Sequence, residues 1–129
     1  MIVVDASSAI ELLLNTAAGV RISARLLSPG ETLHAPHLID LEVAQVLRRY
    51  ARSGELDASR GAQALQDLAD LAINRYPHDV FLPRIWELRH SVTAYDAAYI
   101  ALAEALDAPL VTRDAALASA AHRARVEVV

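Results

Sequence analysis

Ile2-Val3-Val4-Asp5-Ala6-Ser7-Ser8 decides how this chain is read: an apolar run at the N-terminus breaks off at a carboxylate followed by two hydroxyls. Three β-branched residues in succession predict a strand buried on both faces, as in parallel sheets, and polar residues begin where that strand should stop. In open parallel sheets, ligands bind beyond the carboxyl ends of the strands. Asp5 therefore stands where chemistry is expected, provided that other segments bring partners to it.

Working outward, helical spacing covers Ala6 to Asn15 and Val20 to Leu27, and Ser28-Pro29-Gly30 is a turn. Thr32 to Ala35 reads as a second strand ended by Pro36. His37 to Arg52 reads as a helix whose last turn holds Arg48, Arg49 and Arg52, where cations suit the helix dipole. Asp57 or Ser59 caps a further helix running to about Ile73, and Tyr76 to Asp79 offers a third strand. Leu82 to His90 and Thr93 to Leu106 are helical, Leu110 to Thr112 is a strand, Ala115 to Ala121 a short helix and Val126 to Val129 a closing strand. Strands alternating with helices predict an α/β domain with a mostly parallel sheet and helices on both faces.

A chain of 129 residues is sized for one domain, 1–129, and buries about two-thirds of the surface its unfolded form exposes. With no cysteine, disulfides and thiolate metal sites are excluded. The N-terminus enters a strand after one residue without a basic segment, and no uncharged run is long enough to span a bilayer; a cytoplasmic protein with no membrane association is expected. The net charge of −4 provides no global positive field to attract nucleic acid, yet bound divalent cations reverse the sign of an acidic cleft, so a nuclease stays open. All 12 basic residues are Arg, which removes Schiff-base chemistry and the P-loop lysine. No Gly-x-Ser-x-Gly or dinucleotide fingerprint occurs, and His34-Ala35-Pro36-His37 lacks further ligands nearby.

Four carboxylates stand out. Glu42, read as mid-helix, has Leu38, Ile39, Gln45 and Val46 at helical spacing, so it lies on or beside the apolar face. Asp96 sits among Val92, Thr93, Tyr99 and Ile100. Asp114 follows the strand Leu110–Thr112 as Asp5 follows its own. If those strands are neighbours, about 4.8 Å apart, both carboxylates reach one cation, and helix N-termini can add Glu42 and Asp96. Such an all-oxygen set suits Mg²⁺ or Mn²⁺ rather than Zn²⁺. Each acid has an ordinary account as well. Asp5 and Asp114 can be N-caps, Thr93-Ala94-Tyr95-Asp96 matches a capping box, and Glu42 can lie at the edge of its apolar stripe.

Together, Ile2-Val3-Val4-Asp5-Ala6-Ser7, His37-Leu38-Ile39-Asp40-Leu41-Glu42, Tyr95-Asp96-Ala97-Ala98-Tyr99-Ile100-Ala101-Leu102-Ala103 and Leu110-Val111-Thr112-Arg113-Asp114 resemble the PIN-domain ribonucleases, specifically the VapC toxins of bacterial toxin–antitoxin pairs. The resemblance spans essentially the whole chain. It implies a three-layer α/β/α fold with a five-stranded sheet in the order 3-2-1-4-5, and an acidic quartet of Asp5, Glu42, Asp96 and Asp114 binding Mg²⁺ or Mn²⁺. Ser7 and Thr112 would support that quartet. It further implies cleavage of RNA by metal-activated water with inhibition of translation, a homodimer, and a cognate VapB-type antitoxin that forms a hetero-oligomer with the toxin.

On this reading, replacing Asp5 with Asn abolishes cleavage and leaves the fold intact. Arg21, Arg25, Arg48, Arg49, Arg52 and Arg113 are candidates for phosphate contacts or for plain solvated surface. Tyr95 and Tyr99 are candidates for base stacking or, as the simpler account, core. The alternative from another class is a non-catalytic α/β interaction domain whose acids serve as caps and whose leucine-rich first helices, Leu12 to Leu14 and Leu26 to Leu27, meet a partner.

Overall fold

The computed structural model describes residues 1–129. Its elements are β1 (Ile2–Val4), α1 (Ala6–Leu13), α2 (Ala17–Leu26), β2 (Leu33–Pro36), α3 (Ile39–Ser53), α4 (Ala58–Asp70), β3 (Ile73–Tyr76), a 3-10 turn (Asp79–Phe81), α5 (Leu82–Glu87), α6 (Ala94–Leu106), β4 (Leu110–Thr112), α7 (Ala116–Ser119) and β5 (Val126–Val128). The five strands form one all-parallel sheet in the order β3-β2-β1-β4-β5, flanked by helices. Right-handed crossovers put the helices that step outward from β1 to β3 on one face and those that return to β4 on the other. In keeping with this, α1 packs with α2, α3 and α4, while α5 packs with α6.

The central strand is the buried one that its β-branched run predicts: Ile2, Val3 and Val4 are at most 1% exposed. Around it close Ile22, Leu26, Ile39, Val43, Tyr99, Ile100, Leu102 and Leu110. Side-chain caps begin three of the helices. Asp5 accepts from the Ser8 N–H at α1, Thr16 from Gly19 at α2 and Thr93 from Asp96 at α6, each contributing about 1 kcal/mol. Gly54, at φ 80°, ends α3 in the left-handed region, which costs glycine nothing. At Gly19 a Cβ would collide with the Glu11 carbonyl, so glycine lets α2 fold back against the end of α1.

The third strand differs from expectation. It is Ile73–Tyr76, not Tyr76–Asp79, and α4 stops at Asp70 rather than at Ile73. Pro77 explains the placement: it lacks the N–H a strand would need there, so pairing with β2 ends at Tyr76 opposite Pro36. His34, the first histidine of the His-Ala-Pro-His run, is 4% exposed, with its ring nitrogens hydrogen-bonded to the Thr32 and Tyr76 hydroxyls at 2.7 Å. That accounts for it as a satisfied core residue. No helix is long and apolar enough to cross a membrane.

Candidate active site

Sheet order reverses at β1, which has β2 on one side and β4 on the other. Such a switch point leaves a crevice beyond the strand ends. An open cleft of about 630 Å³ lies there, lined by Asp5, Glu42, Asp96 and Asp114 together with Ser7, Arg49, Tyr95 and Tyr99. Four acids dispersed through the sequence thus meet in one place, each brought by a different element. A second cavity, about 440 Å³, contains Glu104, but Arg84 and Arg123 already neutralise that carboxylate. None of the four acids of the first cleft takes part in an ion pair.

Asp5 is 6% exposed and heavily used. Its Oδ1 accepts from the Ser7 hydroxyl at 2.7 Å, the Ser8 N–H at 3.0 Å and the Ser8 hydroxyl at 2.8 Å, while Oδ2 accepts from Thr112 Oγ1 at 2.5 Å. The register explains the Thr112 contact. Val4 pairs with Val111, so the residue beside Asp5 on β4 is Thr112 and not Asp114, which lies two positions beyond its strand. Thr112 Oγ1 in turn accepts the Asp114 N–H at 3.0 Å, and Ser7 Oγ accepts the Arg113 N–H at 3.0 Å. These two hydroxyls fasten the loop that carries Asp114. Three donors saturate Oδ1 and leave spare acceptor capacity on Oδ2 alone.

Glu42 sits in the first turn of α3, because that helix begins at Ile39 rather than His37. Although near the helix start, its carboxylate caps nothing: Oε1 accepts from the Tyr99 hydroxyl at 2.7 Å, across from α6. Burial pushes the Glu42 carboxyl above its usual range, the Tyr99 bond draws it partly back, and repulsion from Asp96 and Asp5 pushes it up again. Burial likewise raises Asp96, with repulsion from Asp114 and Asp5 adding to it against a weaker opposing contribution from the Thr93 hydroxyl. The Thr93–Asp96 capping box is half made. Thr93 Oγ1 accepts the Asp96 N–H at 3.2 Å, and the Asp96 carboxylate does not close it onto the Thr93 N–H. Asp114 is exposed and accepts from the Ala116 N–H at 2.9 Å, but Ala115 is the N-cap of α7 and no side chain caps that helix, so the capping account holds for Asp5, alongside any other role, and not for Asp114.

With the side chains as they stand, no three of these acids are close enough to form a metal-ligand group. They do share one field, since each of Glu42 and Asp96 feels two of the others. The donor set is all carboxylate and hydroxyl oxygen, the chemistry of a hard divalent cation.

The role of Ser8 and the bond from Tyr99 to Glu42 escaped the reading from sequence. Ser8, fully buried, shares its one hydroxyl proton between Asp5 Oδ1 at 2.8 Å and the Val111 carbonyl at 2.7 Å; its place in a pair of hydroxyls was the only signal. Tyr99 is core, at 1% exposure, and also reaches Glu42; its spacing of three from Asp96 was the signal. Tyr95 corrects the core expectation, being 64% exposed at the cleft. Among the arginines, Arg25 is spent on Glu31 and Glu127 and Arg113 bonds the Val129 carbonyl, whereas Arg49 lines the cleft.

The model of the PIN domain family matches residues 2–123. Ribonuclease VapC9 of Mycobacterium tuberculosis is 51% identical over 114 residues, covering 88% of this chain and 86% of the relative. Among solved structures, PAE2754 from Pyrobaculum aerophilum superposes with a TM-score of 0.73 at 26% identity, over 98% of this chain and 83% of its own. VapBC2 from Rickettsia felis, bound to a DNA fragment from its promoter, gives 0.70 at 14% identity, over 98% of both chains, and shares the fold. With a family model over nearly its whole length and a curated relative at half identity, the chain belongs to the PIN-domain family, among the VapC ribonucleases.

Proposed function

We propose that this chain, as one PIN domain over 1–129, is a Mg²⁺-dependent endoribonuclease, with Mn²⁺ as a substitute. In this reading it acts as the toxin of a toxin–antitoxin pair, inhibits translation, works as a homodimer in the cytoplasm and is restrained by a VapB-type antitoxin. The observation that carries the chemistry is the convergence of Asp5, Glu42, Asp96 and Asp114 on one cleft with no cationic partner among the ion pairs of the fold. The VapBC2 likeness and the VapC9 name support the antitoxin and the RNA.

Asp5, through Oδ2, with Glu42, Asp96 and Asp114 would hold the ion. A cation bound there supplies acidified water and neutralises charge developing on the phosphate oxygens. The chain's own residues do the rest. Ser7, Ser8 and Thr112 fix the direction of Asp5 by donating to it. Glu42 or Asp96, each held above its usual range, is suited to accept the proton of an attacking water. Tyr95 and Leu41, 64% and 76% exposed on the cleft wall, present apolar surface to an unpaired base, with Arg49 beside them for a phosphate.

Incubating the purified protein with RNA in millimolar Mg²⁺ should give cleavage products with 5′-phosphate and 3′-hydroxyl ends, and EDTA should stop it. Intact RNA with Mg²⁺ and Mn²⁺ would favour the non-catalytic interaction domain.

A pH-linked response to the cation follows from the raised acids. The stability Glu42 and Asp96 contribute is fully present below their unfolded values near 4.5 and 3.8, and is lost as pH climbs through the raised folded values. The metal-free cleft is therefore most strained near neutrality, where the acids also compete least with protons for a cation. At a cation concentration about 100-fold above its Kd, binding adds about 2.7 kcal/mol, a melting shift on the order of 5–10 °C. That shift should be larger at pH 7.5 than at pH 5.5 by differential scanning fluorimetry. Glu104, whose burial is outweighed by bonds from Arg84 and Arg123 that hold it low, acts in the opposite sense, so the cation-induced shift is the quantity to compare. A shift independent of pH would count against these acids as the ligands.

A further inference from the structure

Glu42 and Asp96 reach the cleft from different helices, α3 and α6, and one side chain joins them. Tyr99 lies three residues after Asp96 and so continues the same face of α6. Its ring is 1% exposed, within the core cluster that also holds Ile39, Val43 and Ile100, and its hydroxyl donates to Glu42 Oε1 at 2.7 Å. This is the only hydrogen bond the Glu42 carboxylate makes, and Glu42 has no ion pair.

We infer that Tyr99 is a positioning residue for the cation site: its hydroxyl fixes the Glu42 carboxylate relative to Asp96 and leaves Oε2 as the ligating oxygen. The inference rests on the metal-site reading proposed above. A glutamate has three rotatable bonds, and an acid that must give up their freedom on binding a cation holds it less tightly than one already fixed. A tyrosine locked in the core supplies that constraint with a single directional bond. The ring occupies the space whether or not the hydroxyl is there, so packing alone does not call for tyrosine over phenylalanine. Partners of this kind, one bond behind the ligand, typically change metal affinity 10–100-fold.

The test uses the full chain and Mn²⁺ as the probe, with binding read by electron paramagnetic resonance and calorimetry at pH 7.5. Tyr99→Phe should weaken Mn²⁺ binding about 10-fold, at the low end of that range. Its metal-free circular dichroism should match wild type, and the metal concentration for half-maximal RNA cleavage should rise in the same proportion. Glu42→Gln should weaken binding too, and adding Tyr99→Phe to it should bring no further loss, because the hydroxyl acts through Glu42. Glu42→Asp keeps the charge but falls one methylene short of the hydroxyl, and it should lose affinity as Tyr99→Phe does; this variant decides the matter if Tyr99→Phe fails to fold. Wild-type Mn²⁺ affinity in Tyr99→Phe or in Glu42→Asp overturns the inference, as does an equal loss from Tyr99→Phe with and without Glu42. A wild-type protein with no saturable Mn²⁺ binding overturns the metal-site reading itself.

Discussion

Asp96→Asn should reduce RNA cleavage at least ~10²-fold, the scale seen when one preorganised electrostatic group is removed from an active site, while making the metal-free protein more stable. The two effects have one origin. Asp96 is half-buried at the start of α6, and both burial and the charges of Asp114 and Asp5 disfavour its ionised form. Its position near a helix N-terminus favours a negative charge by up to ~1 kcal/mol and offsets part of these influences. The specific service residue 96 gives the helix cap is its backbone N–H to Thr93, which asparagine supplies equally. Substitution with the amide thus removes strain without removing a contact of the fold. A residue kept at a cost to stability is kept for what it binds. Melting curves in EDTA beside a cleavage assay on the same samples check both halves. Retained activity removes Asp96 from the site, and a lower metal-free melting temperature removes the strain from the account.

Much of this architecture is legible in the residues because its decisive features are local. Ile2-Val3-Val4 and Leu110-Val111-Thr112 are short and mostly β-branched, and they form β1 and β4 side by side. The acids could be picked out because a carboxylate at a strand end or among apolar helical neighbours is locally anomalous. β3 was displaced for an equally local reason. Leu68 and Leu71 continue the helical spacing of α4, so Ile73 reads as its next turn, and an edge strand with one buried residue in four carries little alternation to oppose that reading. Glu42 reads as mid-helix because α3 starts without a side-chain cap, which leaves no polar signal at Leu38. The parts of the cleft that stayed hidden are those defined across the chain. Whether the Tyr99 hydroxyl faces Glu42, or Thr112 rather than Asp114 stands beside Asp5, depends on helix docking and strand register, which periodicity does not contain.

Asp5→Asn should also abolish cleavage, but with the opposite effect on the fold. The hydrogen bonds Asp5 makes add a stability cost to the expectation that this substitution leaves the fold intact. Its two oxygens accept four donors, from Ser7, Ser8 twice and Thr112, in a position 6% exposed where water is no substitute. Asparagine has one acceptor oxygen. If that oxygen takes the place of Oδ1, where the Ser8 N–H has no freedom to turn, the amide NH₂ meets the Thr112 hydroxyl. Thr112 must then redirect its proton while its oxygen continues to accept from the Asp114 N–H. The loss of a hydrogen bond to a charged group costs about 1.5–3 kcal/mol. Asp5→Asn should therefore lower the metal-free melting temperature by several degrees, where Asp96→Asn raises it. Urea unfolding of both variants in EDTA measures the contrast directly, since a shift in midpoint without a change in slope reports stability alone. Opposite signs would distinguish an acid built into the joint between β1, α1 and β4 from one held only for the cleft. A wild-type midpoint for Asp5→Asn would mean that the hydroxyls rearrange freely around residue 5, and Ser7, Ser8 and Thr112 would then lose the orienting role proposed for them.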